Sequence, residues 1–169
     1  GKQAYASKLV EGRQLGMSAS RAEAREFFKG FAGDILVGNW DSAGRSCDNA
    51  FVTKDGKILR IDNGGAFLMR AQAGRKSPSQ LDGVAELQGF FPHNALNIQN
   101  PGYHALAEKA GYASTKDFKD DFKKQVQDLT KLRDQYGGWS NFISQHAPGF
   151  AGEDRAAVLQ MLESRHALL

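Results

Sequence analysis

The sequence predicts an α+β fold, mostly helical, in which one small β-hairpin packs beside a helical bundle. Three observations carry this. Phe27, Phe28 and Phe31 fall at spacings that put aromatic rings on the core face of a helix. Phe118, Phe122, Val126 and Leu129, with Leu132 beyond them, form a longer stripe at helical spacing, with Lys and Asp on the opposite face. Between these regions, Ala50-Phe51-Val52 and Ile58-Leu59-Arg60-Ile61 flank Asp55-Gly56, a strong two-residue hairpin signal.

The first forty residues read as helical. Ser18 or Ser20 can cap a helix starting at Arg21, with Glu23 as the capping partner. Ile35, Leu36 and Val37 continue the apolar run to a break at Gly38-Asn39. The two strands are too few for an independent sheet, so they need helices, or strands from outside this chain, to pack on. Residues 64 to 101 are punctuated by Gly64, Gly65, Gly74, Gly83, Gly89, Pro78, Pro92 and Pro101 and read as a long, weakly structured connection. Beyond it the chain is helical again. A short helix from Tyr103 to Ala110 stops at Gly111. A long one capped by Ser114 or Thr115 runs through Tyr136 to Gly137-Gly138. Trp139 to His146 forms another, broken at Pro148. Gly152 to Leu168 forms the last, with Ala156, Leu159, Leu162 and Arg165 stepping around it and Glu153-Asp154 favouring its N-terminus.

With 169 residues the chain can bury one sizeable core and is most simply one domain, residues 1–169. Hydrophobic content of 41% and charged content of 24% are those of a soluble globular protein. A net charge of +3 without a basic tract does not call for nucleic acid or an anionic membrane, and it would not oppose a polyphosphate. No apolar run is long enough to span a membrane. The single cysteine, Cys47, excludes an internal disulfide and reads as a small apolar filler in its loop.

The chemistry concentrates in Asp41, Asn49 and Asp62. Asp41 ends the triplet Asn39-Trp40-Asp41. Asn49 follows it by eight residues and Asp62 follows Asn49 by thirteen. With Asn49 entering the first strand and Asp62 leaving the second, both oxygen ligands lie at the same end of the hairpin, and Asp41 lies on the loop just before. Hard oxygen ligands that hold magnesium on a triphosphate, together with a carboxylate that orients a hydroxyl, are what phosphoryl transfer needs from a protein. Asp34, in an apolar stretch, reads as a helix-end or supporting residue rather than a ligand. Arg70, Arg75 and Lys76 are candidate phosphate or substrate contacts, with solvated loop charges as the simpler reading. Trp40 and Trp139 read as core residues before base-stacking ones.

The segment from about 30 to 76 resembles the catalytic core of the protein-kinase-like superfamily, closest to its atypical branches, the HipA toxin kinases and the phosphoinositide and actin-fragmin kinases. In ordinary kinases the catalytic loop reads H-R-D-x-x-x-x-N and the metal Asp opens D-F-G. The resemblance sets Asn39-Trp40-Asp41 in the place of the catalytic triplet and Asn49 in that of the metal-binding Asn. It sets Ile61-Asp62-Asn63-Gly64-Gly65 in the place of the D-F-G region. It therefore implies a kinase C-lobe-like bundle, ATP and Mg2+ as cofactors, Asp41 as the catalytic carboxylate, and Asn49 and Asp62 as metal ligands. Asn49, Asp62, Gly64 and Gly65 would lie at the nucleotide, and a hydroxyl acceptor, possibly a protein, would receive the phosphate. The compartment is left open by the sequence, which fits a soluble protein of the cytoplasm or a delivered effector, and the HipA-like resemblance adds a bacterial effector or toxin as an expectation. No strand-rich region with a glycine-rich phosphate loop precedes Asp41, so the N-lobe is absent from this chain. That absence, the long Asp41-to-Asn49 loop and Asn63 in the place of Phe motivate an alternative, a non-catalytic kinase-like module that docks protein partners.

Other chemistries lack their residues. His93, His104, His146 and His166 have no zinc-binding spacing, and there is no G-x-S-x-G elbow and no Walker motif.

Overall fold

The computed structural model describes residues 10–70, 74–84, 101–112 and 116–169. The fold is α+β and mostly helical. In chain order the described elements begin with β1 (Gly12–Gln14), α1 (Arg21–Phe28), α2 (Phe31–Leu36), β2 (Ala50–Thr53) and β3 (Ile58–Arg60). They continue with α3 (Pro78–Asp82), α4 (Pro101–Ala110), α5 (Lys116–Gln135), α6 (Trp139–His146) and α7 (Gly152–Leu168).

Several elements form where the residues predict them. Ser20 caps α1: its hydroxyl accepts from the Glu23 amide, and the Glu23 carboxylate returns a bond to the Ser20 amide. The expected cap of α5 at Ser114 or Thr115 lies outside the described residues, as do Gly89, Pro92 and His93. The helix read from Tyr103 starts earlier, at Pro101, whose fixed φ suits a first turn.

Three expectations are corrected. The first forty residues are not all helical: β1 pairs antiparallel with β2, with Arg13 opposite Val52. The hairpin is thus part of a three-stranded sheet of order β1-β2-β3, and the extra strand comes from this chain. The hairpin loop is also longer than two residues. The Gly56 amide donates to Thr53 O, and the Thr53 amide donates to Lys57 O, both at 2.9 Å. Gly56, at φ 79, supplies the left-handed residue of a bulged loop, so Lys54 and Asp55 take the corners. Finally, α7 buries Val158, Met161, Leu162 and Arg165, while Ala156 is exposed. Leu162 and Arg165 are buried as the stripe predicts and Leu159 is half-buried, while Val158 and Met161 take the place of Ala156 on the buried face.

The core has two parts. In the first, the sheet's inner residues Leu15, Ala50 and Val52 meet α1, α2, α4 and the start of α5 around Phe27, Phe28, Phe31 and Phe118. Their rings pack edge-on, as in Phe27–Phe28 at 5.4 Å and Phe28–Phe31 at 5.5 Å. Full burial of each such side chain contributes roughly 1.5–3 kcal/mol. Along α5 only Phe118 is fully buried, whereas Phe122, Val126, Leu129 and Leu132 are half-buried. The second part gathers Leu36, Leu68, Trp139, Ile143, Val158, Met161 and Leu162.

A polar relay joins α5 to α7. Arg133 Nη1 lies 3.1 Å from His166 Nδ1, and Thr130 Oγ1 lies 3.0 Å from His166 Nε2. A guanidinium can only donate, so Nδ1 accepts and Nε2 carries the proton. Thr130 then accepts from Nε2 and donates its own hydrogen to Val126 O. Burial lowers the His166 pKa, and the Arg133 charge lowers it further. The unfolded chain therefore takes up a proton below the ordinary imidazole value of about 6.5 while the native imidazole stays neutral. Stability is expected to fall as pH drops from that value toward the lower native one. Urea denaturation between about pH 7.5 and about pH 5 should show this fall in the parent and less of it in His166→Gln. Parallel pH profiles for the two proteins would sink the assignment.

Candidate functional site

The site begins where α2 stops. Gly38, at φ 64, donates to Ile35 O at 2.9 Å, and Asn39 donates to Asp34 O at 2.8 Å. This paired ending uses glycine's access to the left-handed region to turn the chain sharply off the helix. It delivers Asn39, Trp40 and Asp41 to the end of the sheet.

Asp41 and Asn49 then close a loop on each other. Asn49 Nδ2 donates to the Asp41 carbonyl at 2.7 Å, and the Gly44 amide donates to the same oxygen at 3.1 Å. Asn49 O accepts the Ile61 amide at 2.9 Å, one step beyond the Ala50–Arg60 pair of the β2–β3 ladder. Asn49 and Asp62 therefore leave the hairpin at the same end. Asp62 turns its own chain: its Oδ1 accepts the Gly64 amide at 2.9 Å. Asn49 is thus bonded to the Asp41 backbone, and Asp62, at the same end of the hairpin, lies near enough for its charge to act on the Asp41 carboxyl. Gly64 and Gly65 follow on the Asp62 loop, where Gly64 is exposed and Gly65 buried.

Burial pushes the Asp41 carboxyl above its ordinary pKa, and the neighbouring Asp62 charge pushes it further. The Asn49 side chain and the Arg45 charge act in the opposite sense. Two carboxylates held near one another beside an amide fit a hard divalent cation, which would offset their repulsion. The Asn49 Nδ2 is engaged with Asp41, so its Oδ1 is the atom a cation could use. Among the described residues no cluster of three or more His, Cys, Asp or Glu forms a metal site.

Buried cations hold the frame. Asp34 is buried in α2 and receives Arg60 Nη2 at 2.7 Å, Arg60 Nε at 3.1 Å and the Ser42 hydroxyl at 2.9 Å. It is a supporting residue, as expected. Burial raises its pKa, and Arg60 and Ser42 pull it back. Lys76, read from the sequence as a substrate contact or a solvated loop charge, is neither. It is buried, and its ammonium donates to Gly38 O, Gly65 O and Phe67 O at 2.7, 2.6 and 2.7 Å. It also lies 5.1 Å from the Trp40 ring centroid. Arg75 pairs with Asp154, and Arg70 is exposed. Trp139 lies in the core, and Trp40 is half-buried. Cys47 is a fully buried filler. Arg60 and Arg165 stand in the strand and the helix stripe read from the sequence, but their partners, Asp34 and distant backbone carbonyls, are not legible there. Asn39 and Asn63 stand in the two motifs read from the sequence, but the hydrogen bond between them is not legible there.

Comparison of the chain with protein-family models, curated proteins and solved structures yields no match. Among the described residues no helix is long and apolar enough to cross a membrane.

Two outcomes follow from this geometry. Replacing Asp62 by Asn removes a negative charge near Asp41, so the Asp41 carboxyl should titrate at lower pH. NMR of the 13C-labelled carboxyl measures this, and an unmoved titration would place the two groups apart. Gly44→Ala should damage the loop. A Cβ there would sit 2.2 Å from Asp48 Oδ1, at a φ of 70. The conformational cost alone is about 1–2 kcal/mol, readable in the urea midpoint, and a neutral substitution would contradict the loop geometry.

Proposed function

We propose that this chain is the catalytic lobe of a kinase-like phosphotransferase of the atypical, HipA-like kind, which binds nucleotide with magnesium and transfers phosphate to a hydroxyl acceptor. The observation that carries this reading is the convergence of Asp41, Asn49 and Asp62 at one end of the hairpin. Asp41 orients the acceptor hydroxyl and takes its proton at a carboxylate oxygen. Its raised pKa brings it closer to the range in which a carboxylate accepts a proton readily. Asn49 Oδ1 and the Asp62 carboxylate would hold the magnesium. The ion would offset charge on the triphosphate. Gly64 is exposed and carries no side chain just beyond Asp62, so the phosphates could approach its backbone closely, while buried Gly65 would support that turn from behind.

A second reading has its own support. Leu59 and Ile61, which share the outer face of the sheet beside the site, are 39% and 52% exposed. Such a surface suits a non-catalytic module that docks a protein through this face.

Calorimetry with ATP and magnesium separates the two. The phosphotransferase reading expects binding by the parent, loss of most of it in Asp62→Ala, and abolished phosphotransfer in Asp41→Ala with binding retained. Equal binding by the parent and Asp62→Ala would remove the metal role. Full phosphotransfer by Asp41→Ala would remove Asp41 as the catalytic carboxylate.

A further inference from the structure

Asn39 is 1% exposed, and its Oδ1 has no hydrogen-bond partner among the described residues. Its Nδ2 donates to Asn63 Oδ1 at 2.9 Å. Asn63 is oriented from its other end, where Nδ2 faces Arg60 O at 3.4 Å. The carbonyl of Arg60 can only accept, so Asn63 must turn its oxygen toward Asn39, and Asn39 must answer with its amide hydrogen. The orientation of both side chains is thereby fixed.

A buried amide with an unused acceptor is a poor stabiliser, since an apolar side chain of similar shape would leave nothing unsatisfied. Its value lies in what it joins. Asn39 stands two residues before Asp41, and Asn63 directly follows Asp62. Two further ties lie farther out. Lys76 joins Gly38 O to Gly65 O and Phe67 O, and the Phe67 amide donates to Val37 O at 2.6 Å. Those hold the roots of the two segments. The asparagine bridge joins them next to the carboxylates.

We propose that Asn39 and Asn63 form a positioning pair that sets the separation of Asp41 and Asp62, and with it the width of the cation site. The purpose of that width rests on the metal-site reading above, while the bridge itself does not.

The test uses the whole chain and Mn2+ alone as the probe. Asn39→Ala, Asn63→Ala and the double variant are compared with the parent in three measurements: Mn2+ affinity by electron paramagnetic resonance, the urea midpoint, and hydrogen exchange of the Ala66 amide. That amide donates to Asn63 O at 3.0 Å and reports on the Asp62 loop. Each single variant should bind Mn2+ about tenfold more weakly, and the double variant no more weakly than either. Ala66 should exchange faster in Asn39→Ala, by more than any change in the urea midpoint accounts for. Parental affinity and exchange in the single variants would overturn the proposal. So would additive losses, or losses that follow a fall in the urea midpoint. Should Asn39→Ala not fold, the exposed Asn63→Ala carries the comparison, with Asn39 Nδ2 protection as its exchange readout. If the parent and Asp62→Ala bind Mn2+ equally, the metal reading falls. The exchange data then decide the bridge on their own, faster exchange supporting it and unchanged exchange overturning it.

Discussion

The Arg60–Asp34 ion pair determines where everything else at the site can be. Asp34 lies in α2, which leads into Asn39-Trp40-Asp41. Arg60 ends β3, which leads into Asp62. The guanidinium meets both carboxylate oxygens, donates to Phe27 O at 2.7 Å and lies 4.4 Å from the Phe27 ring centroid. A planar fork fits such a bidentate contact where a lysine would offer only a point charge. One contact therefore sets the direction of two loops and ties both to α1. Removing either partner would leave a buried charge uncompensated, which costs about 3–5 kcal/mol in comparable pairs. Ser42 extends the network: its hydroxyl donates to Asp34 and meets the Tyr103 hydroxyl at 2.6 Å, which reaches α4. The segment just after Asp41 is thus anchored by the same carboxylate.

A second use of buried cations is to satisfy carbonyls that helices and loops leave over. Arg165 is fully buried and donates to Ile35 O at 2.6 Å, Leu81 O at 2.7 Å and Gln80 O at 2.8 Å. Ile35 lies at the end of α2, where a cation also meets the negative end of the helix dipole. Lys76 does the same one turn later at Gly38 O. A Cβ at Gly38 would approach the Arg165 guanidinium and the Lys76 ammonium, each at 3.3 Å. The glycine thus serves two needs, the left-handed turn off α2 and the close approach of two cations. In this way α7, at the far end of the sequence, takes part in holding the Asp41 loop although none of its residues approaches the chemistry.

Much of this was legible in the sequence, and the division follows the physics. The Ser20–Glu23 capping box, the Trp139–His146 helix and the Gly152–Leu168 helix rest on local signals and form where those signals stand. That Asn49 and Asp62 share an end was legible because a hairpin fixes which residues lie there. Strand β1 was not. Gly12-Arg13-Gln14 is exposed along its length and has no alternation to reveal it, and its pairing comes from β2, nearly forty residues away. The partners of Arg60, Lys76 and Arg165 were illegible for a related reason. A charged residue reads as a solvated one unless its partner is known, and here the partners are backbone carbonyls or a distant aspartate.

The site concentrates features that stability alone would avoid. Asp41 and Asp62 are like charges held near one another. Asn39 buries an acceptor without a partner among the described residues, and an unsatisfied group of that kind costs about 1–3 kcal/mol. Cys47 and Phe67 take left-handed backbone conformations that glycine would adopt more easily, one on the Asp41-to-Asn49 loop and the other on the loop after Asp62. These costs fall within two short loops, while the aromatic core of α1, α2, α4 and α5 and the second cluster around Trp139 and Met161 lie behind them. Strain of this sort persists only where the surroundings over-determine it. Here the surroundings are the Asp34–Arg60 pair on one side and the Lys76 and Arg165 carbonyl contacts on the other. The frame is built from buried charge because charge is directional. Apolar packing could bury these loops, but it could not dictate which carbonyl each faces or how far apart their carboxylates stand.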